Sequence, residues 1–149
     1  MAITNLIHRC HGGSFKPGFN MLYGKVDFSE FNQENNDEIW LAKIPNNAIL
    51  YESWYRMPTA STSTSTLDIS TTYTAGTDIA SNVDVDALGA EWVQGSIQTD
   101  GGAEEITDAD SYLQVGADGD IVDGVLEVAL IFIMFPSNTT PMDHVTVAA

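Results

Sequence analysis

Apolar and polar residues alternate at short range along this chain, and turn residues interrupt the pattern every few positions. That is the signature of strands rather than helices. "MLYGKVDF" (21–28) reads as a first strand. "IWLAKIP" (39–45) reads as a second, ended by Pro45, with Asn46 and Asn47 making the turn. In "AILYESWYRM" (48–57), simple alternation sets Ile49, Tyr51, Ser53 and Tyr55 on one side and Leu50, Glu52, Trp54 and Arg56 on the other. Further strands are expected over 65–71, over 90–98 with Trp92 buried, and over 111–117. Polar, Ser/Thr-rich and acidic loops fall at 29–38, 58–64, 99–110 and 118–124. "IASNVDVDALG" (79–89) reads as an irregular crossing or a short helical turn. The Ser–Thr alternation after Pro58 contains no Gly and is no flexible tether, so one domain is preferred over a separate C-terminal one. No stretch carries apolar residues at helical spacing, and the expected class is an all-β antiparallel sandwich.

The most apolar run, "VLEVALIFIMF" (125–135), has eleven residues with Glu127 inside and Pro136 next. A membrane-spanning helix needs about 20 apolar residues, so this is a long strand. One face carries Val125, Glu127, Ala129, Ile131, Ile133 and Phe135; the other carries Leu126, Val128, Leu130, Phe132 and Met134. Apart from Glu127 both faces are apolar, whereas a sandwich strand needs only one dry face. The second face therefore needs a cover: the chain's own termini or a second subunit. The preferred expectation is a homo-oligomer with Leu126, Val128, Leu130, Phe132 and Met134 at the subunit interface.

Charge sharpens this picture. The chain of 149 residues carries a formal net charge of −16. All five basic residues, Arg9, Lys16, Lys25, Lys43 and Arg56, lie in the first 56 positions, and fifteen of the 21 acids lie after them. Nucleic acid is excluded as a partner, because phosphate contacts need clustered Lys and Arg, and an anionic membrane would repel this body. The first 26 residues hold three basic groups and no acid. Residues 1–20, with "HGGSFKPGFN", read as an extended arm lying on a partner through Ile3, Leu6, Ile7, Arg9, Phe15, Lys16 and Phe19. Residues 21–136 make the sandwich and 137–149 an extended tail. The single cysteine, Cys10, gives no intrachain disulfide, and the N-terminus lacks the apolar core of a signal peptide, so action or assembly in a cytoplasm is expected.

Candidate chemistry is sparse. His8, Cys10 and His11 are packed too tightly for a structural zinc site, and His144 is the only other histidine. Asp108, Asp110, Asp118, Asp120 and Asp123 fail the calcium-loop pattern at Tyr112. Asp118, Asp120 and Asp123 remain weak metal candidates beside the simpler reading as Asp–Gly turn residues. Glu52, Glu91 and Glu127 would need a shared cleft to act as a hydrolase pair. Tyr51, Trp54 and Tyr55, with Trp40 and Trp92, either stack on sugars or serve as core and interface residues. No nucleophile elbow, phosphate loop or dinucleotide fingerprint occurs, and neither enzymatic activity nor a cofactor is expected.

Residues 38–135 resemble small structural proteins of tailed bacteriophages through "AKIPNNAILYESWYRM", "STLDIST" leading to "GTDIAS", "VDVDALGAEW" and "DADSYLQVGA…GDIVDGVLEVALIFIM". Ser70 stands where that group tends to have Gly, and the Ser–Thr run fills its polar loop. The resemblance implies a virion protein, a capsid decoration (cement) protein with a jelly-roll-like sandwich, often trimeric. It would be assembled in the host cytoplasm on the major capsid protein. The alternative is a receptor- or glycan-binding fibre or tail module, calcium-dependent if the acidic loops hold the ion.

Overall fold

A computed structural model of the chain describes residues 1–5, 17–72, 78–97, 104–105 and 111–134. Among these residues it is all-β. The strands are β1 (Ile3–Asn5), β2 (Gly18–Asp27), β3 (Glu38–Ile44), β4 (Ile49–Thr59), β5 (Thr66–Thr71), β6 (Asp78–Asp84), β7 (Val93–Gln94), β8 (Glu104–Glu105), β9 (Ser111–Asp118) and β10 (Val125–Met134). They form two sheets. One has the order β2–β10–β4–β7, with β8 also on β4; the other has the order β1–β3–β9–β5–β6. β10 lies between β2 and β4, and β9 between β3 and β5, the interleaved order of a jelly roll. All pairings are antiparallel except β1 with β3.

The core fills the space between the sheets. β9 sends Leu113, Val115 and Ala117 inward, β5 sends Leu67 and Ile69, and β3 sends Ile39, Leu41 and Ile44. From the other sheet come Leu22 and Val26, Leu50 and Met57, and the even positions of β10. The sheets approach closely at Gly24, where a Cβ would sit 2.9 Å from the Cβ of Leu41, so only glycine fits without a shift.

The face assignment of β10 is corrected. Leu126, Val128, Leu130 and Phe132, expected at a subunit interface, are fully buried inside the chain's own sandwich; Met134 is half-buried against that core. The physical reason is that both faces are apolar, so hydrophobicity alone does not say which turns inward. The face left outside is the one with Glu127, Ala129, Ile131 and Ile133. Alternation also breaks in β4. The register against β10 shifts between Ile131 and Phe132, so Leu50, Ser53 and Met57 are all inward while Tyr51 and Glu52 both stay outside.

Two other expectations change. Residues 79–89 open with the strand β6, and the 90–98 strand shrinks to β7 with Trp92 exposed. The expected arm contributes strands to the body at both its described ends. Ile3 lies in β1, where the Ala2 N–H donates to Asp37 Oδ1 at 2.7 Å and the Glu38 N–H donates to the Ala2 carbonyl at 2.8 Å. Phe19 lies in β2. Leu6, Ile7, Arg9, Phe15 and Lys16 lie outside the described residues, as does the tail 137–149.

These burials set a contrast that urea denaturation can measure. Leu130→Ala is expected to cost about 2–5 kcal/mol, as a core deletion does. Ile133→Ala, on the outer face, is expected to cost about 1 kcal/mol or less. Equal losses at the two sites would contradict the face assignment.

Candidate interaction face

The outward face of β10 runs Val125, Glu127, Ala129, Ile131, Ile133, and its neighbours are fixed by register. Lys25 and Arg56 flank Glu127, Tyr23 and Trp54 flank Ala129, Met21 and Glu52 flank Ile131, and Phe19 and Ile49 flank Ile133. The result is a band with Lys25, Glu127 and Arg56 at one end and apolar side chains along most of the rest, interrupted by Glu52 beside Ile131.

At the charged end Glu127 is only 8% exposed, an expensive place for a carboxylate without a partner. Arg56 supplies one. Its Nε donates to Glu127 Oε2 at 2.7 Å, and its guanidinium lies 4.5 Å over the Trp92 ring. A long 3.5 Å hydrogen bond from Nη1 to the Ala90 carbonyl, and one of 3.1 Å from the Met57 N–H to the Gly89 carbonyl, tie the segment before β7 to the edge of β4. Arg56 therefore neutralises the acid and holds Trp92 in place.

Beyond it the small Ala129 leaves a floor between larger side chains. Met21, Trp54, Trp92, Ala129 and Ile131 line an open hollow of about 360 Å3. At the far end Phe19 and Tyr51 meet edge to face, their centroids 5.6 Å apart. Phe19 is 69% exposed, Tyr51 55% and Met21 52%, on the two strands that flank β10. These side chains form a contiguous exposed apolar patch, the kind of surface that contact sites use.

The other candidates disperse. Trp40 stacks on Tyr112 on the opposite sheet, centroids 4.4 Å apart, and Tyr55 packs against the core, so the expected aromatic group is divided. Glu52 accepts a long 3.4 Å hydrogen bond from Gln94, Glu91 is exposed, and Glu127 is engaged by Arg56; the three carboxylates have separate roles. His8, Cys10, His11, His144, Asp108 and Asp110 lie outside the described residues.

Two of the weak metal candidates, Asp123 and Asp120, act as fasteners. Asp123 accepts from the Ser61 hydroxyl at 2.8 Å, the Thr62 N–H at 2.7 Å and the Thr62 hydroxyl at 2.6 Å. These bonds, the Thr62 hydroxyl first, hold its carboxyl below the ordinary carboxylate value. Asp120 accepts from the Asn35 N–H at 3.3 Å and offers its carbonyl to the Ser65 hydroxyl at 2.8 Å, while Asp118 is exposed. No group of three His, Cys, Asp or Glu that would hold a metal ion occurs among the described residues. Asp37 is held low in the same way, chiefly by the Ala2 N–H and then by that of Glu34.

The same fold occurs in solved phage particles. A chain in the capsid asymmetric unit of cyanophage Pam1 matches with a TM-score of 0.64 at 17% identity, over 85% of this chain and 91% of that one. A chain in the capsid of Ralstonia phage GP4 matches with a TM-score of 0.59 at 14% identity, over 91% of this chain and 100% of that one. A chain in the acidic stable capsid structure of Helicobacter pylori bacteriophage KHP30 matches with a TM-score of 0.51 at 11% identity, over 78% and 88%. No family model matches the sequence, and no curated protein matches it. At these identities the likeness is one of fold.

Two measurements test the electrostatics. Arg56→Ala strands the Glu127 carboxylate and is expected to cost about 1–3 kcal/mol in urea unfolding, and Glu127→Gln in the same background to restore part of it. Asp123→Asn is expected to lower the melting temperature at neutral pH. A depressed folded-state pKa gives stability that is present above the unfolded value, 3.8 for an ordinary Asp, and is lost as pH falls through the lower folded value. The gap between wild type and variant should therefore close below about pH 3.8 in a melting series. A gap that is constant across pH would show that Asp123 contributes nothing through its charge.

Proposed function

We propose that this chain is a non-enzymatic structural protein of a bacteriophage virion, a decoration protein that binds and stabilises the capsid shell as a homo-oligomer. The observation that carries the reading is the near end-to-end match of the jelly roll to chains in three phage capsid structures. The aligned part is 85% of one chain and 91% of the other in the Pam1 case, so the matched chains are of similar size, without large added domains. The apolar outer face supports it further, since a protein that works by adhesion needs a contact surface and no reaction centre.

The shell contact, in this reading, is made to the major capsid protein by the basic N-terminal stretch, with Arg9 and Lys16 meeting acidic groups and Leu6, Ile7 and Phe15 supplying burial, at roughly 25 cal/mol per Å2. Ile3 in β1 and Phe19 in β2 hold the two ends of that stretch on the sandwich. A glycan-binding fibre module is less well supported. Trp54 and Trp92 do share a hollow, but Met21, Ala129 and Ile131 complete it and offer sugar hydroxyls no partner.

Co-sedimentation with capsids assembled without this protein tests the reading. Saturable binding that raises the temperature at which the shells open is the expected result. The double variant Arg9→Glu/Lys16→Glu is expected to bind at least about tenfold more weakly with an unchanged circular dichroism spectrum. Protein that stays in the supernatant at all concentrations would end the decoration reading.

A further inference from the structure

We infer that the outer face of β2, β10 and β4 is the surface on which a second copy of this chain docks. The inference rests on the homo-oligomer proposed above and names the surface that makes it. Its occupant follows from charge. With a formal net charge of −16, two copies repel each other wherever their acid-rich surfaces approach within about 8 Å, the screening length at physiological salt. A basic partner would be drawn to the acid loops instead, and a face without net charge offers it no such attraction. A like-charged body can settle only where neither side presents uncompensated charge.

The apolar band meets that condition. Phe19, Met21, Tyr51, Trp54, Ile131 and Ile133 carry no charge, and the two carboxylates on the face, Glu127 and Glu52, are matched in number by Arg56 and Lys25, with Glu127 paired directly to Arg56. Its relief also calls for another copy. The Phe19–Tyr51 pair projects beside Ile133, while the hollow runs over Ile131 and Ala129, two to four residues away along β10 and thus about 7–13 Å off. Within one copy the projecting pair and the hollow lie side by side on the same face and do not fill each other. Across a contact between copies, the aromatic pair of one fills the hollow of the next.

Light scattering after gel filtration and sedimentation equilibrium on the full chain test this, with NaCl varied from about 20 mM to about 500 mM. The expected result is a mass that is a multiple of 16.1 kDa and an association that tightens about tenfold or more as salt screens the like charges. Met21→Asp adds a charge to the exposed end, and Ala129→Leu fills the hollow. Each is expected to weaken association about tenfold or more while melting as a folded protein. A monomer under every condition, association that weakens with salt, or an oligomer indifferent to both folded variants would overturn the proposal. An oligomer that appears only after residues 135–149 are deleted would identify the chain's own tail as the cover and would overturn it too. The measurement uses the free chain, so its failure is distinct from a failure to bind capsids.

Discussion

β10 is paired along its whole length on both edges, with β2 from Val125–Asp27 to Met134–Gly18 and with β4 across two irregularities. A strand saturated at both edges has only its faces to offer, and here both are apolar. The inward face, Leu126 to Phe132, meets β3, β5 and β9 across the sandwich and fixes the core. The outward face meets water unless something covers it. Core and proposed contact surface are thus two sides of one strand, and the rest of the fold is arranged around keeping that strand in register.

The acids at the periphery do more than add charge. Asp123 gathers the Ser61–Thr62 loop, and Asp37 receives the N–H groups of Ala2 and Glu34. Asp27 takes the hydroxyl and N–H of Ser29 at the turn that follows β2. Each is a half-buried carboxylate accepting hydrogen bonds, which keeps it ionised to lower pH and ties a loop to the body. The loops of an anionic sandwich are fastened by the same groups that make it anionic.

The sequence showed the class through its alternation, and the strand status of 125–134 through length and Val/Ile/Phe content. The turn at Asn46–Asn47 was legible for a reason the backbone confirms: Asn47 has φ 64°, a left-handed conformation Asn tolerates. What stayed hidden was parity. Hydrophobicity is equal on the two faces of β10, and the extra residue at Tyr51 resets the alternation of β4 without any composition cue. The readable marker was Glu127, an acid in an apolar strand, with Arg56 as its opposite charge on a strand of matching length. Together they point to the outer face, because an ion pair is cheaper at a sheet surface than between two sheets. β6 was missed because Asp78, Ser81, Asn82 and Asp84 are poor strand formers, held in place by pairing with β5. The shrinkage of 90–98 to β7 is likewise tertiary: the ladder with β4 runs at Trp54 and Tyr55, and the Gly95 N–H still reaches the Ser53 carbonyl.

Charge and apolar surface, which composition presents as separate features, act as one in this fold. Fifteen acids after position 56 make most approaches between copies unfavourable at low salt. Their repulsion suppresses random association through loops and sheet edges. It leaves the charge-balanced band over β10 as the surface where close approach of the proposed second copy costs least. Glu127 would spoil that band if it were unpaired, and Arg56, the last basic residue in the chain, is spent on it. The same guanidinium carries Trp92 to the rim of the hollow, so the residue that neutralises the face also completes its shape. In the proposed association of copies, a strongly anionic body and one charge-balanced, contoured face together would give orientation as well as adhesion, which is what a subunit needs in order to associate in one way only.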